Sequence, residues 1–164
     1  MGDRYASERY APTIPRCARA SISLNFDGKY LRGSGIGGFM QFSGVSGRKI
    51  NGVFEYSIDR QRTPDHGPIP EGEYWIQPSE LQENSWYRLR NPRMAWGNYW
   101  ITIHPYPDTQ TYKRGGFFIH GGSTQGSAGC IDLTDQMDRF VLALRKAIAK
   151  QPECYIPLTV SYSK

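Results

Sequence analysis

The residues of this 164-residue chain with the strongest claim to chemistry are His120 and Cys130. An apolar run, Gly116-Phe117-Phe118-Ile119-His120, reads as a strand ending on the histidine. A loop follows at Gly121-Gly122-Ser123-Thr124-Gln125-Gly126, and Ser127-Ala128-Gly129-Cys130-Ile131-Asp132-Leu133 then leads toward a helix. A thiol attacks as thiolate, so a cysteine with an ordinary pKa of about 8.5 needs something to lower it, and a neighbouring imidazole is the usual device. The loop is long enough to fold His120 back against Cys130. Glycines beside the thiol let backbone N–H groups approach a substrate carbonyl and form an oxyanion hole. The bland alternatives are a buried cysteine acting as a small hydrophobe and a histidine acting as a satisfied polar group. The ordered combination of strand, His-Gly, Gly/Ser loop and Ser-x-Gly-Cys favours nucleophilic catalysis. His66 sits in a turn and His104 precedes Pro105, so both read as loop or surface groups. A metal site from His104, His120 and Cys130 would have no recognised spacing, and no cofactor is expected.

The surroundings of this pair must come from one small domain. A hydrophobic share of 38% and a mean hydropathy of −0.59 can fill a modest core. No run approaches the roughly 18 apolar residues of a spanning helix, so no membrane insertion is expected. Four Trp, eleven Tyr and seven Phe argue against disorder, while 18 Gly and 11 Pro suggest short strands and many turns. The net charge of +5 suits nucleic acid, a membrane surface or an acidic polymer and selects none of them. Residues 1–19 are polar and aperiodic and read as an arm, with the domain proper at 20–164. The first residues have no apolar core, so no ordinary secretory signal is expected.

Alternation predicts strands at Ser21–Phe26, Lys29–Arg32, Phe39–Phe42, Phe54–Ile58, Glu73–Gln77, Tyr99–Ile103, Gly116–His120 and Tyr155–Tyr162, with Asp27-Gly28 a hairpin turn. The glycines of Gly33–Gly38 lack the following helix that a phosphate loop needs. His66-Gly67-Pro68-Ile69-Pro70-Glu71-Gly72 is a turn by its chemistry. Met137, Phe140, Val141, Leu144 and Ile148 fall at helical spacing, which predicts one helix over about 134–150, with Thr134 as N-cap and Pro152 as the stop.

His-Gly followed by Ser-x-Gly-Cys-Ile resembles the signature of the L,D-transpeptidase catalytic domain, which cross-links or trims bacterial peptidoglycan through a cysteine acyl-enzyme. Gly67-Pro68-Ile69-Pro70-Glu71-Gly72-Glu73-Tyr74 is similar to the Gly-Pro-Ile-Pro-x-Gly-x-Tyr segment of that superfamily. With its small size and its Phe-x-Ile-His-Gly-Gly strand, the chain most resembles the L,D-transpeptidase-like toxin effectors of type VI secretion, over about residues 21–162. The resemblance implies a mainly β sandwich or partly open barrel with one packed helix. It implies Cys130 as nucleophile and His120 as general base, with Gly121, Ser127, Ala128 and Gly129 shaping the loop and the Gly129–Cys130 backbone supplying oxyanion donors. Three features depart from the cell-wall enzymes: Ala128 replaces their second His, Asp132 replaces their Arg, and the His–Cys gap is shorter. Arg114, Lys113 or Arg93 could replace the missing Arg toward a substrate carboxylate, and Tyr74, Trp75, Arg114 and Asp132 are the candidate groove residues.

The activity so implied is attack on peptidoglycan tetrapeptide stems through a Cys130 thioester, resolved by water as L,D-carboxypeptidase trimming or by an amine as exchange. Such an effector would act in the periplasm of a target bacterium, with an immunity protein and a secretion component as partners. One rival is another class of cysteine peptidase; papain-like enzymes place the cysteine before the histidine, the reverse of the order here. A second is a basic module for glycan or nucleic acid, with Cys130 structural and Tyr99-Trp100-Ile101 as an aromatic strand; under the first reading no nucleic acid is bound. Cys17 and Cys154 lie outside the catalytic loop and are a possible disulfide, which would leave Cys130 a thiol.

Overall fold

The computed structural model describes residues 14–35, 38–83, 97–122, 126–149 and 154–162. Among the described residues ten strands form one sheet: β1 (Ser23–Phe26), β2 (Tyr30–Gly35), β3 (Gly38–Ser43), β4 (Val45–Gly47), β5 (Gly72–Ile76), β6 (Gln82–Glu83), β7 (Tyr99–Pro105), β8 (Phe117–His120), β9 (Ser127–Asp132) and β10 (Ile156–Val160). Their order is β3-β2-β1-β10-β5-β7-β8-β9-β4, with β6 pairing β7. Only Gly44 separates β3, at one edge, from β4, at the other. The chain therefore joins the two edges itself, and the sheet curls into a nearly closed barrel.

The core fills the inside of that curl. Alternation sends Leu24 and Phe26, Ile101 and Ile103, and Ile156, Leu158 and Val160 inward. The helix α2 (Met137–Ala147) contributes Met137, Phe140, Val141 and Leu144, with the Phe140 ring edge-on to Phe42 at 5.6 Å. A 3-10 turn at Thr134–Gln136 runs into α2, and Thr134 has φ of +49°, so Thr134 is not the expected N-cap; Gln136 holds that position without a side-chain cap. The expected stop at Pro152 lies outside the described residues.

The β1–β2 hairpin is as expected: Gly28 takes φ of +93°, and Asp27 Oδ1 accepts the N–H groups of Lys29 and Tyr30. Phe54–Ile58 is not a strand. Tyr56 turns its hydroxyl to the Gly28 carbonyl and accepts from Ser46 N–H, and Ser57 instead caps a short helix, α1 (Ile58–Gln61). The turn at 67–72 is pinned from several sides. Ser46 Oγ accepts from Ile69 N–H, Tyr74 donates to the Pro70 carbonyl, Tyr162 donates to the Ile69 carbonyl, and Gln61 accepts from Glu71 N–H.

Candidate active site

β8 is buried on both faces, so alternation decides what each of its residues meets. Phe117 and Ile119 point into the core, and His120 leaves by the other face. β9 runs parallel to β8 with Ile119 opposite Ile131 and His120 opposite Asp132. Cys130, two residues before Asp132, therefore projects on the same face as His120. Strand spacing and rise put the two Cα atoms about 8 Å apart, a diagonal that an imidazole can bridge. Sequence reading took Ser127–Cys130 as loop; the structure includes it in β9, which β8 and β4 both pair at Ile131 and Asp132 and which β4 meets again at Ser127 across a break in register.

Both side chains are fully buried. His120 Nδ1 lies 2.8 Å from the Gly121 carbonyl, which can only accept, so Nδ1 carries the proton and Nε2 carries the lone pair. Burial pushes the His120 pKa down to about 4, against a smaller opposing effect of the Gly121 hydrogen bond, so the ring is neutral at pH 7. Gly121 itself is wedged: an added Cβ would come within 2.7 Å of Met137 Cβ and 2.8 Å of the Thr134 carbonyl. That fit fixes the carbonyl that orients the ring.

The two motif segments meet at one carbonyl. Gly67 O accepts from Gly129 N–H at 2.9 Å and from Arg114 Nη2 at 2.9 Å. Arg114 Nη1 also donates to the carbonyls of Gln61, at 2.6 Å, and Pro68, at 2.7 Å. Gly129 has φ of +70°, and the place of its missing side chain is filled by the Phe117 ring and Arg114 Nη2. The 67–72 corner thus buttresses the backbone just before the thiol.

This geometry revises several expected roles. Gly129 N–H is committed to Gly67 and is not an oxyanion donor in this arrangement. Arg114 is buried with its guanidinium on backbone carbonyls, so it is a strut and not a groove cation. Tyr74 is sealed in the core, edge-on to Phe117 at 6.0 Å, and burial holds its hydroxyl pKa well above the usual range. Trp75 stacks on His104 at 4.3 Å, away from β8 and β9. Neither ring lines a groove beside Cys130. Asp132 is fully buried, and both its oxygens accept backbone N–H groups, from Gly126 and from Thr134. Ala128 is buried on β9. The backbone of Ser127 pairs with Gly47. Lys113 sits in the turn before Arg114 with φ of +62°. Arg93 lies outside the described residues.

His104 does not join His120. It stands four residues along β7 from Trp100, the residue opposite His120, or about 13 Å away. Among the described residues no group of three His, Cys, Asp or Glu side chains could hold a metal ion. Trp100 itself is the aromatic that sequence reading missed here: in register with His120, it shares the face from which the imidazole projects. Its signal was the Tyr99-Trp100-Ile101 strand, assigned to the rival binding reading. Cys17 and Cys154 are half-buried thiols in this structure. Backbone ties the arm's end to the C-terminal part, through Tyr155 N–H to Ala18 O at 3.3 Å and Ala20 N–H to Tyr155 O at 2.8 Å.

The family model for the Tlde1 domain matches residues 38–159. The chain belongs to the Tlde1 domain family. Tlde1 domains are L,D-transpeptidase-like effector domains of type VI secretion. No curated protein matches the sequence. Five solved chains match its structure. One is an L,D-transpeptidase from Mycobacterium smegmatis, 15% identical, with a TM-score of 0.41, covering 87% of this Tlde1 chain and 59% of its own. The chain thus spans less than two thirds of that protein. Among the described residues no helix is long and apolar enough to cross a membrane.

Proposed function

We propose that this Tlde1 protein cleaves peptidoglycan tetrapeptide stems through a thioester on Cys130, with His120 as general base. The observation that carries the reading is the contact of His120 Nδ1 with the Gly121 carbonyl at 2.8 Å, from which the tautomer follows. A neutral ring anchored through Nδ1 presents its Nε2 lone pair on the face that also carries the thiol. Nε2 takes the thiol proton as sulfur attacks the carbonyl of the stem's third residue. The C–N bond to the terminal D-alanine then breaks, and His120 returns the proton to the departing amine. Water attacking the thioester completes L,D-carboxypeptidase trimming; the amine of another D-amino acid completes exchange. With Gly129 N–H engaged, other donors must stabilise the oxyanion, and Trp100 is the aromatic placed to flank the stem.

Digestion of purified peptidoglycan, with muropeptides resolved by mass, tests the reaction. Tetrapeptides should convert to tripeptides, and added D-amino acids should appear in exchanged stems. Cys130→Ala should abolish both while leaving the fold intact, since the change removes a small thiol. Wild-type processing by that variant would falsify the assignment. The effector would act in the periplasm of a target cell, countered by an immunity protein. Expression directed to the periplasm should then be toxic and cytoplasmic expression tolerated; equal toxicity in both compartments would contradict that placement.

A further inference from the structure

We propose that Asp132 is a positioning residue for the reaction centre: its carboxylate clasps the loop before Cys130 to the turn after it, and so fixes the stretch of β9 on which the thiol stands. The proposal rests on reading Cys130 as the nucleophile. Asp132 is two residues beyond Cys130 and opposite His120, on the face that all three side chains share. Oδ2 accepts Gly126 N–H at 3.0 Å and Oδ1 accepts Thr134 N–H at 2.9 Å. These two amides lie on either side of Cys130 in the chain. Both belong to left-handed residues, Gly126 at φ of +95° and Thr134 at +49°. A threonine holds that conformation only where its surroundings over-determine it. One carboxylate thus supports both bends that bracket the nucleophile. Its oxygens are already occupied, so a groove role toward substrate would require giving up a clasp.

Charge sharpens the argument. Burial raises the Asp132 pKa to about 7, against the lowering effect of the Thr134 and Gly126 hydrogen bonds. A protonated carboxyl carries its hydrogen on one oxygen and accepts there less well, so acid should loosen one clasp. The titratable groups around Asp132 are His120 from β8, Lys29 and Tyr30 across a cleft of about 250 Å³, and Asp135 in the following turn; β4 brings Val45, without charge.

Two measurements on the full chain test this. In wild-type protein followed by NMR from pH 5 to 9, the Gly126 and Thr134 amide protons should shift together with a single midpoint. Amide signals that stay still, or that titrate separately, overturn the clasp even if no variant folds. Asp132→Asn keeps one acceptor oxygen but replaces the other with a donor. It should lower kcat about 10–100-fold with KM within about twofold, since small misplacements at a reacting centre have effects of that order. It should also remove the acid limb of the pH profile and speed exchange of at least one of the two amides. Wild-type kcat with an unchanged pH profile overturns the proposal, as does a lower kcat with both amides as protected as before. Activity persisting in Cys130→Ala would instead sink the nucleophile reading, and the amide titration separates the two failures.

Discussion

His104 and His120 stand on neighbouring strands, and their surroundings make different tools of one side chain. His104 is half-buried; its Nε2 lies 2.7 Å from a Glu80 carboxylate oxygen, and its ring stacks on Trp75. His120 is fully buried, with Nδ1 on a neutral backbone carbonyl. A carbonyl fixes a tautomer without adding charge and makes the opposite nitrogen the acceptor of the ring. A carboxylate at Nε2 spends that nitrogen on structure. The β8–β9 seam is further stiffened by glycine contacts and a buried guanidinium, whereas the β5–β7 seam presents its histidine on the outer, partly exposed face.

The sharpest way to break this contrast is to remove each ring. His120→Ala should lower muropeptide turnover by about 10²–10⁴-fold, the usual worth of general-base help. His104→Gln should leave turnover within about twofold. Equal losses would mean that the two surroundings do not matter as argued.

Stability should separate the seams next. Arg114→Met leaves the carbonyls of Gln61, Gly67 and Pro68 without their shared donor, and we expect a loss of roughly 3–5 kcal/mol in denaturant titration. An unchanged midpoint would show that the guanidinium is no strut.

A smaller effect lies in the pH dependence. The folded pKa of His120 is depressed, so its contribution is present above about 6.5 and lost as pH falls toward 4. That of Asp132 is raised, so its contribution is present below about 3.8 and lost as pH rises toward 7. Each is worth on the order of 3 kcal/mol with opposite sign, so wild-type stability should be nearly flat between pH 4 and 7. In His120→Gln it should fall as pH rises through that range, and in Asp132→Asn it should rise. Parallel profiles for the two variants would contradict both assignments. Smallest of all, His104→Gln should change the unfolding free energy by no more than about 1 kcal/mol, the usual worth of one partly exposed side-chain hydrogen bond.

Much of this molecule was legible in its sequence. Alternating apolar residues announced β1, β5, β7 and β10, the Asp27-Gly28 pair announced its hairpin, and 3.6-residue spacing announced α2. β9 was hidden because Gly126, Ser127 and Gly129 have loop character, and its ladder comes from β8 and from β4, some eighty residues earlier. Phe54–Ile58 misled because Tyr56 and its neighbours alternate like a strand, yet Tyr56 answers to Gly28 and Ser46. The candidate pair itself, His120 and Cys130, was readable from residue type and order. What the residues around it do was not.

The sequence by itself determined which side chains could do chemistry, the strand that carries one of them, and the helix packed behind it. Only the tertiary structure decided the tautomer of His120, the placing of Arg114 beneath Gly129, the burial of Tyr74 and the double clasp on Asp132. The reason is physical: periodicity and turn chemistry act over a few residues and leave a local trace. The partner of a buried polar atom is whichever backbone group the folded chain delivers there, and for Arg114 that group lies about fifty residues away.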